Sequence, residues 1–293
     1  MSRRYHVLDV FTETALAGNQ LAVVTQAEGL DDARMQAIAR EFNLSETVFV
    51  LSPRDLRHRA RLRIFTPGSE LPFAGHPTVG TAVLLTLLDG HTTAAAFGLE
   101  EGVGIVPCVS ERRGDRAGYA RFRLPRLPEI VGPGLTHADA ADALGLTLAD
   151  IGFGRHAPSL RAVGGAFNLI PIASLNALAR AKPSASFERL VTGEHAAVFL
   201  YAAADDRLRA RMYAPGLGIV EDPATGSATA CLAGALADNQ SLDEGVHDFI
   251  VDQGVEMGRP SRIELQIMIE DGKLVSGEIG GAAVVVAEGV LHA

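Results

Sequence analysis

Residues 73–88 read FAGHPTVGTAVLLTLL, a proline-containing turn that leads into a run of small and apolar residues. Proline is favoured at the first position of a helix, so this pattern predicts a helix over residues 77–88. Because its alanine, glycine, threonine and leucine residues leave no polar face, such a helix belongs at the centre of a core. We therefore expect strands to wrap around this helix.

A second stretch, EDPATGSATACLAGAL at residues 221–236, follows the same pattern. The dipeptides His76-Pro77 and Asp222-Pro223 are 222 − 76 = 146 positions apart, about half of the 293 residues. This spacing indicates a duplicated unit of two similar lobes, each with strands around one apolar helix; the alternative is coincidence between two ordinary turns.

Strand patterns account for much of the remaining chain. Runs of β-branched and aromatic residues predict strands at 5–11, 21–26, 46–52 and 60–66, and helical spacing predicts a helix at 31–42 that ends at Asn43. The segment PRLPEIVGPGL (125–135) has three prolines and two glycines. It is the best candidate for an interdomain linker.

The composition excludes several classes of partner. The chain has 26 Lys+Arg against 35 Asp+Glu, a formal net charge of −9, so neither nucleic acid nor an anionic membrane is an expected partner. No apolar run is long enough to span a membrane, and we find no signal-peptide pattern. Cys108 and Cys231 form no CxxC motif, which argues against disulfides or a cysteine-based zinc site and fits a reducing, cytoplasmic environment.

The common cofactor motifs are missing from the sequence. It contains no phosphate loop, no dinucleotide-binding fingerprint and no HExxH or GxSxG motif. Its nine histidines have no metal-ligand spacing. Neither a nucleotide nor a metal is therefore predicted.

The two turns indicate where a ligand would bind. A helix N-terminus presents unpaired backbone N–H groups and a partial positive charge, so it attracts carboxylates and other anions. Gly75 stands at the first helix, and Thr225, Gly226 and Ser227 stand at the second. Two such ends facing one cleft would hold a small carboxylate, whereas the alternative is that Thr225 and Ser227 only cap their helix.

Three ionisable side chains are candidates for proton transfer. His76 lies at the first turn, although a single histidine is more often structural than catalytic. Asp222 precedes the second helix, which its charge would stabilise even without another role. Glu46 begins an apolar strand, where it is either an edge residue facing water or a buried acid with a raised pKa that suits proton transfer near neutral pH.

Five blocks of the sequence, in order, resemble the phenazine-biosynthesis PhzF-like family. They are VFTETALAGNQLAVV (10–24), AREFNLSETVFVL (39–51), RIFTPGSELPFAGHPTVGTA (63–82), RMYAPGLGIVEDPATGSATA (211–230) and QGVEMGRPSRI (253–263). The resemblance implies an α+β fold like diaminopimelate epimerase, with two pseudo-symmetric lobes. Each lobe would be an antiparallel curved sheet wrapped around a central apolar helix.

The resemblance also implies domain limits and an assembly. The N-terminal lobe would comprise residues 1–127, completed by C-terminal strands near 280–293, and the C-terminal lobe residues 128–279. The active site would lie between the lobes, and the protein would be a homodimer.

The function implied by the resemblance is the isomerisation of trans-2,3-dihydro-3-hydroxyanthranilate, or of another small cyclic or unsaturated carboxylate, without a metal or cofactor. Carried over by motif, Glu46 in LSET would be the general acid/base. His76 in AGHP and Asp222 in EDPATGS would hold the polar groups of the substrate and tune its protonation. The substrate-binding residues would be Asn19, Gly75, Thr225, Gly226 and Ser227.

The sequence departs from related enzymes in an informative way. Epimerases and racemases that share this fold use a pair of cysteines at the two helix-opening turns, which here read Ala74-Gly75-His76 and Ala224-Thr225-Gly226. A two-thiol mechanism is therefore not expected. The segment 155–165 matches the family loosely and is a candidate for substrate choice. Two alternatives stay open: a lyase or hydrolase acting on a related small acid, and a non-catalytic carboxylate-binding protein.

Overall fold

A computed structural model of the chain describes residues 2–90, 92–192 and 197–293. The chain divides into two compact units, Met1–Pro125 with Gly280–Ala293, and Arg126–Ile279. In the part of the chain that is described, no helix is both long enough and apolar enough to cross a membrane.

The first unit contains two helices among strands. Its elements are β1 (Ser2–Val10), β2 (Asn19–Val24), α1 (Asp32–Phe42), β3 (Glu46–Leu51), β4 (Ala60–Phe65), β5 (Glu70–Leu71), α2 (Gly75–Asp89), β6 (Ala95–Glu101), β7 (Gly104–Arg112) and β8 (Ala117–Arg123).

The second unit has one long helix and several short ones. Its elements are β9 (Glu129–Gly132), α3 (His137–Leu144), β10 (Ser159–Ala162), β11 (Ala166–Pro171), α4 (Leu175–Arg180), α5 (Phe187–Leu190), β12 (Val198–Ala204), β13 (Arg207–Ala214), β14 (Ile219–Asp222), α6 (Gly226–Asn239), β15 (Gly245–Gln253) and β16 (Ser261–Glu270). A last strand, β17 (Lys273–His292), begins in the second unit and ends in the first.

The helix ends follow local capping rules. Helix α1 ends at Asn43, whose φ of 50° places it in the left-handed region, so the predicted terminator is confirmed. Helix α2 begins at Gly75, two residues before the predicted start, and ends at Gly90, which has a φ of 70°. Pro77 is therefore the third helical residue. It fits there because the first helical N–H groups have no partner within the helix, so a missing one costs nothing.

Both long helices are buried along most of their length. In α2 every residue from Gly75 to Thr86 is buried, and the helix packs against β1, β2, β3, β7 and β8. In α6 every residue from Gly226 to Leu236 is buried except Ser227, and the helix packs against β10, β11 and β16. Because apolar burial contributes about 25 cal/mol per Å², both helices stabilise their units substantially.

The strands pair in the same succession in each unit. In the first unit β1–β2, β3–β4 and β6–β7 are antiparallel, while β2–β3 and β4–β6 are parallel. In the second unit β10–β11, β12–β13 and β15–β16 are antiparallel, while β11–β12 and β13–β15 are parallel. The prediction of purely antiparallel sheets is wrong, because each parallel pair is joined by a crossover that contains a helix.

The boundary between the units falls inside the predicted linker, between Pro125 and Arg126. The linker prediction is nevertheless wrong for residues 129–132, which form β9 and pair with β10. The prolines at 125, 128 and 133 flank this strand without interrupting it. The backbone N–H groups of the strand therefore stay available for pairing.

Strand β1 lies between two neighbours. It pairs with β2 on one side and with β17 on the other, where the register runs from Ser2 opposite His292 to Val10 opposite Ala283. Strand β17 also pairs with β8. The first unit is therefore completed by residues from the far end of the sequence.

Candidate active site

Asn19 is held by a tight turn that precedes β2. Gly18 has a φ of +66°, and a Cβ at this position would collide with the Val10 carbonyl oxygen and the Thr12 side chain, so only glycine fits. Asn19 is 1% exposed, and its side-chain nitrogen lies 3.4 Å from His76 Nδ1. The turn thus brings two of the predicted site residues together.

Glu46 and His76 lie side by side in the first unit. Glu46 is the first residue of β3 and His76 is the second residue of α2, and Glu46 Oε2 is 3.4 Å from His76 Nε2. Their side chains are 13% and 4% exposed, so Glu46 is not an edge residue facing water. The contact is not aligned as a hydrogen bond, and His76 Nε2 has no hydrogen-bond partner among the described residues.

The imidazole of His76 is neutral near pH 7. Burial lowers the pKa of His76 to about 3, and a backbone hydrogen bond with Gln20 opposes only part of that effect. The contact with Glu46 is therefore not an ion pair at neutral pH. A neutral imidazole donates from one nitrogen and accepts at the other, which suits it to hold a polar group.

A buried hydroxyl and a buried carboxyl fix the turn before α2. Thr78 Oγ1 lies 2.8 Å from the Ala74 carbonyl oxygen and 2.8 Å from Glu101 Oε1. Burial raises the pKa of Glu101 to about 8, against the opposing effect of the Thr78 hydrogen bond. Sequence reasoning missed Glu101. The available signal was a pair of glutamates at positions 100 and 101, because alternation along a strand turns one of two neighbouring side chains inward.

A glycine lets this turn approach strand β6. Gly102 follows Glu101, and a Cβ at this position would lie 2.8 Å from Pro72 Cα. The next residue, Val103, donates its backbone N–H to the Pro72 carbonyl at 2.9 Å. The segment before α2 is therefore held by both side-chain and backbone hydrogen bonds.

In the second unit Asp222 is bound to the residue that precedes α6. Asp222 ends β14 and is 5% exposed, and its Oδ2 accepts a hydrogen bond of 2.5 Å from Thr225 Oγ1. Thr225 occupies the N-cap position but makes no side-chain capping bond. The alternative that Thr225 only caps its helix is therefore wrong, because its hydroxyl binds Asp222 instead.

Gln253, which sequence reasoning also missed, ties this turn together. It ends β15 and is fully buried. Its Oε1 accepts from the Thr225 N–H at 3.0 Å, and its Nε2 donates to the Asp222 carbonyl at 2.8 Å and to Thr225 Oγ1 at 3.0 Å. Because Thr225 Oγ1 accepts from Gln253, its own hydrogen points to Asp222. The available signal was a glutamine placed at the start of the QGVEMGRPSRI block.

The predicted ligand-binding positions Gly75, Gly226 and Ser227 lie at the starts of α2 and α6. Gly75 and Gly226 are the first residues of α2 and α6, so their N–H groups are among those a helix leaves unpaired. Neither first turn contains an acidic residue that would repel an anion. Ser227 is half-buried while its neighbours along α6 are buried, so the helix is accessible at this position.

The two turns share the pattern Pro-x-x-Gly-x-x-Thr, which reads PFAGHPT at 72–78 and PATGSAT at 223–229. The offset is 223 − 72 = 151 positions, and it aligns the two helix starts. The predicted pairing of His76-Pro77 with Asp222-Pro223 is therefore wrong in register. Pro72 corresponds to Pro223, because the glycine that begins each helix sets the alignment.

The segment 155–165 contacts the opposite end of α6. Arg155 Nε donates to the Asn239 carbonyl at 3.0 Å, and the Arg161 guanidinium donates to Asp238 at 2.5 Å. Cationic groups are favourable at a helix C-terminus. These contacts do not involve the start of α6, so a role in substrate choice stays a prediction.

Both thiols are buried. Cys108 is 3% exposed on β7 and Cys231 is 0% exposed on α6. Burial raises the pKa of both thiols, that of Cys231 to about 12. Within residues 2–90, 92–192 and 197–293, no three or more His, Cys, Asp and Glu side chains group together as metal ligands.

Sequence comparisons match almost the whole chain to one family. The family model described as phenazine biosynthesis-like protein matches residues 8–289. An uncharacterized isomerase of Mesorhizobium japonicum is 44% identical over 299 residues, which cover 99% of each chain. The trans-2,3-dihydro-3-hydroxyanthranilate isomerase of Pseudomonas aeruginosa is 37% identical over 290 residues, which cover 98% of each chain.

Solved structures share the fold. A predicted epimerase from Pseudomonas aeruginosa has a TM-score of 0.83 and 35% identity, with 99% of each chain covered. A hydroxyproline epimerase from Agrobacterium vitis has a TM-score of 0.66 at 13% identity, with 99% of this chain and 92% of that chain covered, and shares the fold alone. The fold is thus the mixed α/β fold of PhzF proteins and epimerases, and the chain belongs to the phenazine biosynthesis-like (PhzF) family.

Proposed function

We propose that this chain is an isomerase that moves a proton between carbon atoms of a small cyclic or unsaturated carboxylate by acid/base catalysis. The observation that carries the proposal is the buried Glu46 carboxyl beside the neutral His76 imidazole. The relatives that are named isomerases support it. The first substrate to test is trans-2,3-dihydro-3-hydroxyanthranilate, because a relative that is 37% identical is named for it.

In the proposed reaction Glu46 takes a proton from one carbon of the substrate and returns it to another. A carboxyl group does this efficiently when it reaches the proton directly and water is kept out. The low exposure of the Glu46 side chain, 13%, supports the second condition. Because one proton leaves and returns while a double bond shifts, the step balances without an oxidant, a reductant or a cofactor.

The other residues hold the substrate in this proposal. His76, kept neutral by burial, binds a polar group of the substrate and adds no positive charge beside Glu46. The Thr225 hydroxyl donates to Asp222, which supports Asp222 as an acceptor for a hydroxyl or amino group. The groups proposed to bind substrate are Asn19 and the Gly75 N–H in the first unit, and Thr225, the Gly226 N–H and the Ser227 hydroxyl in the second.

The proposal also includes the finer features that the resemblance implies. The two units would be pseudo-symmetric lobes, and the protein would be a cytoplasmic homodimer. The repeated succession of strand pairs supports the pseudo-symmetry. Sedimentation velocity of the purified protein tests the dimer directly.

The test is incubation of the purified protein with trans-2,3-dihydro-3-hydroxyanthranilate, followed by absorbance and mass spectrometry. Wild type should change the spectrum without a change in mass, and Glu46→Gln should abolish turnover while it folds and binds the ligand. Glu41→Gln, a change at an exposed position, is the matched control and should leave turnover intact.

Other outcomes identify the alternatives. Loss of one water from the substrate would indicate a lyase. A ligand-induced rise in melting temperature without turnover would indicate a binding protein. Full turnover by Glu46→Gln would exclude the proposed mechanism.

A further inference from the structure

The oxygens of Glu101, Thr78 and Ala74 lie in a row at hydrogen-bond distance, with the Thr78 hydroxyl in the middle. Thr78 Oγ1 carries one hydrogen, yet it lies 2.8 Å from both the Ala74 carbonyl oxygen and Glu101 Oε1. A carbonyl oxygen has no hydrogen to donate, and neither has an ionised carboxylate. A single hydrogen shared between the two acceptors would give two weakened bonds, whereas both contacts are full hydrogen bonds if the Glu101 carboxyl carries a proton, donates it to Thr78, and leaves Thr78 to donate to Ala74.

The surroundings of Glu101 agree with a neutral carboxyl group. Glu101 is 9% exposed, and its Oε2 has no hydrogen-bond partner among the described residues. The titratable group that faces it from β7 is the Cys108 thiol, whose pKa is raised by burial and by Glu101. On α2 the nearby His76 is neutral. Glu100, the previous residue, lies on the opposite face of the strand and binds His58.

The turn that Glu101 holds is the one that presents His76. Ala74 is the N-cap residue of α2, and its carbonyl accepts both the Thr78 N–H at 3.2 Å and the Thr78 hydroxyl. His76 lies between these two residues, so the first turn of the helix sets its distance from Glu46. Loss of the hydroxyl bond would loosen that turn.

We propose that Glu101 stays a neutral carboxylic acid at physiological pH and acts as a positioning residue, which through Thr78 and Ala74 holds His76 beside Glu46. Ionisation of Glu101 at alkaline pH removes the proton that it donates to Thr78. The single Thr78 hydrogen then faces two acceptors, so one of the two hydrogen bonds is lost. The inference rests on the hydrogen-bond geometry of the turn, and it holds whether or not the proposed substrate is correct.

The direct test is infrared spectroscopy of the folded wild type as a function of pH. We expect a carbonyl band of a neutral carboxylic acid at about pH 7 that disappears as the pH rises through about 8. The band should be absent from Glu101→Gln and should shift in Thr78→Val. Glu100→Gln is the matched control and should leave the band in place, because hydrogen bonds from the Arg54 and Asp55 backbone lower the pKa of Glu100 to about 2. A wild type without this band at about pH 7 would overturn the proposal.

The second test uses stability. The pKa of Glu101 is raised from 4.5 to about 8 on folding, so the neutral group contributes stability in full below about pH 4.5 and loses it as the pH rises to about 8. Glu101→Gln keeps a donor but does not titrate. Its melting temperature relative to wild type should therefore climb between these pH values and level off above them. A difference that does not change with pH would contradict a neutral Glu101.

The positioning role has its own readout. Nitrogen NMR of the His76 ring should show a change in wild type as the pH rises through about 8, and no such change in Glu101→Gln. His76 itself does not titrate in this range, since its pKa is lowered to about 3. Identical pH profiles in the two proteins would show that Glu101 does not act on His76.

Discussion

The turns that begin α2 and α6 share a backbone pattern but are closed by different side chains. At the end of β6 Glu101 binds the first turn, and at the end of β15 Gln253 binds the second. Each of these residues is followed by a glycine, Gly102 or Gly254, against which the proline of the turn packs. The position is therefore the same in the two units, and the chemistry differs by one functional group.

The hydrogen bonds of the first turn therefore depend on pH, whereas those of the second turn do not. A glutamine side chain donates and accepts at every pH, so the hydrogen bonds around Asp222 do not depend on a proton. The bonds around Thr78 do depend on one, because a carboxyl group donates only when it is neutral. Since Glu46 and His76 lie in the first unit, alkaline pH should affect their turn before it affects that of Asp222.

The largest effect is expected from Gly254→Ala. Gly254 has a φ of +72°, and a Cβ there would collide with the Arg259 carbonyl and lie 2.6 Å from the Pro223 carbonyl. We expect a loss of about 3 kcal/mol or more in the free energy of unfolding, measured by denaturant titration. Gly258→Ala is the control, with the same φ and no atom within 4 Å, and should cost about 1 kcal/mol. Equal losses would show that the packing against Pro223 is unimportant.

Gln253→Glu should cost somewhat less, about 2–3 kcal/mol at neutral pH. The introduced carboxylate would face the Asp222 carbonyl and the Thr225 hydroxyl, where Gln253 Nε2 now donates. Folding should raise the pKa of the introduced group, so the loss relative to wild type should shrink as the pH falls. The opposite exchange, Glu101→Gln, should be tolerated. If Gln253→Glu and Glu101→Gln lowered the free energy of unfolding equally, the proposed contrast between the two turns would be wrong.

Thr225→Val should have a moderate effect, about 1–2 kcal/mol in unfolding free energy. It removes the donor to Asp222 and an acceptor of Gln253. Thr229→Val is the matched control, because the Thr229 hydroxyl donates to the Thr225 backbone carbonyl, at 3.1 Å, and not to Asp222. A cost no greater than that of the control would argue against a strong hydrogen bond to Asp222.

The smallest effect is expected in thiol labelling. Both cysteines are buried, and burial raises the pKa of each thiol, so the native protein should react slowly with a disulfide reagent. In variants with a single cysteine, raising the pH through about 8 should accelerate labelling of Cys108 modestly more than that of Cys231. We expect ionisation of Glu101 to loosen the packing around Cys108, and this greater access to outweigh the higher thiol pKa beside a carboxylate. Parallel acceleration at the two sites would indicate no selective loosening of the first unit.

Local patterns predicted the elements that depend on local chemistry. The apolar composition of α2 and α6 and the left-handed Asn43 follow from a few neighbouring residues. The register of the duplication does not, because proline fits the first helical position as well as the third, and only the observed start at Gly75 distinguishes them. The parallel strand pairs were missed because they depend on crossovers that join distant segments.

The candidate site shows the same division. Motifs identified Glu46, His76 and Asp222, but not the 3.4 Å approach of the first two or the neutral state of His76, which follows from burial by distant strands. Glu101 and Gln253 were overlooked because polar residues at strand ends are mostly exposed. Their burial is a property of the tertiary structure, so it could not be predicted from the neighbouring residues in the sequence.

The pairing of β1 with β17 has a consequence for folding during synthesis. The two strands join residues 2–10 to residues 283–292, so one edge of β1 has no partner until residues 283–292 have left the ribosome. Residues 126–279 form a compact unit and can fold earlier. Contacts this far apart in sequence slow folding, and a strand edge that is still unpaired can pair with another molecule and cause aggregation. A fragment of residues 1–125 should therefore aggregate unless the final strand is supplied, as a separate peptide or by circular permutation.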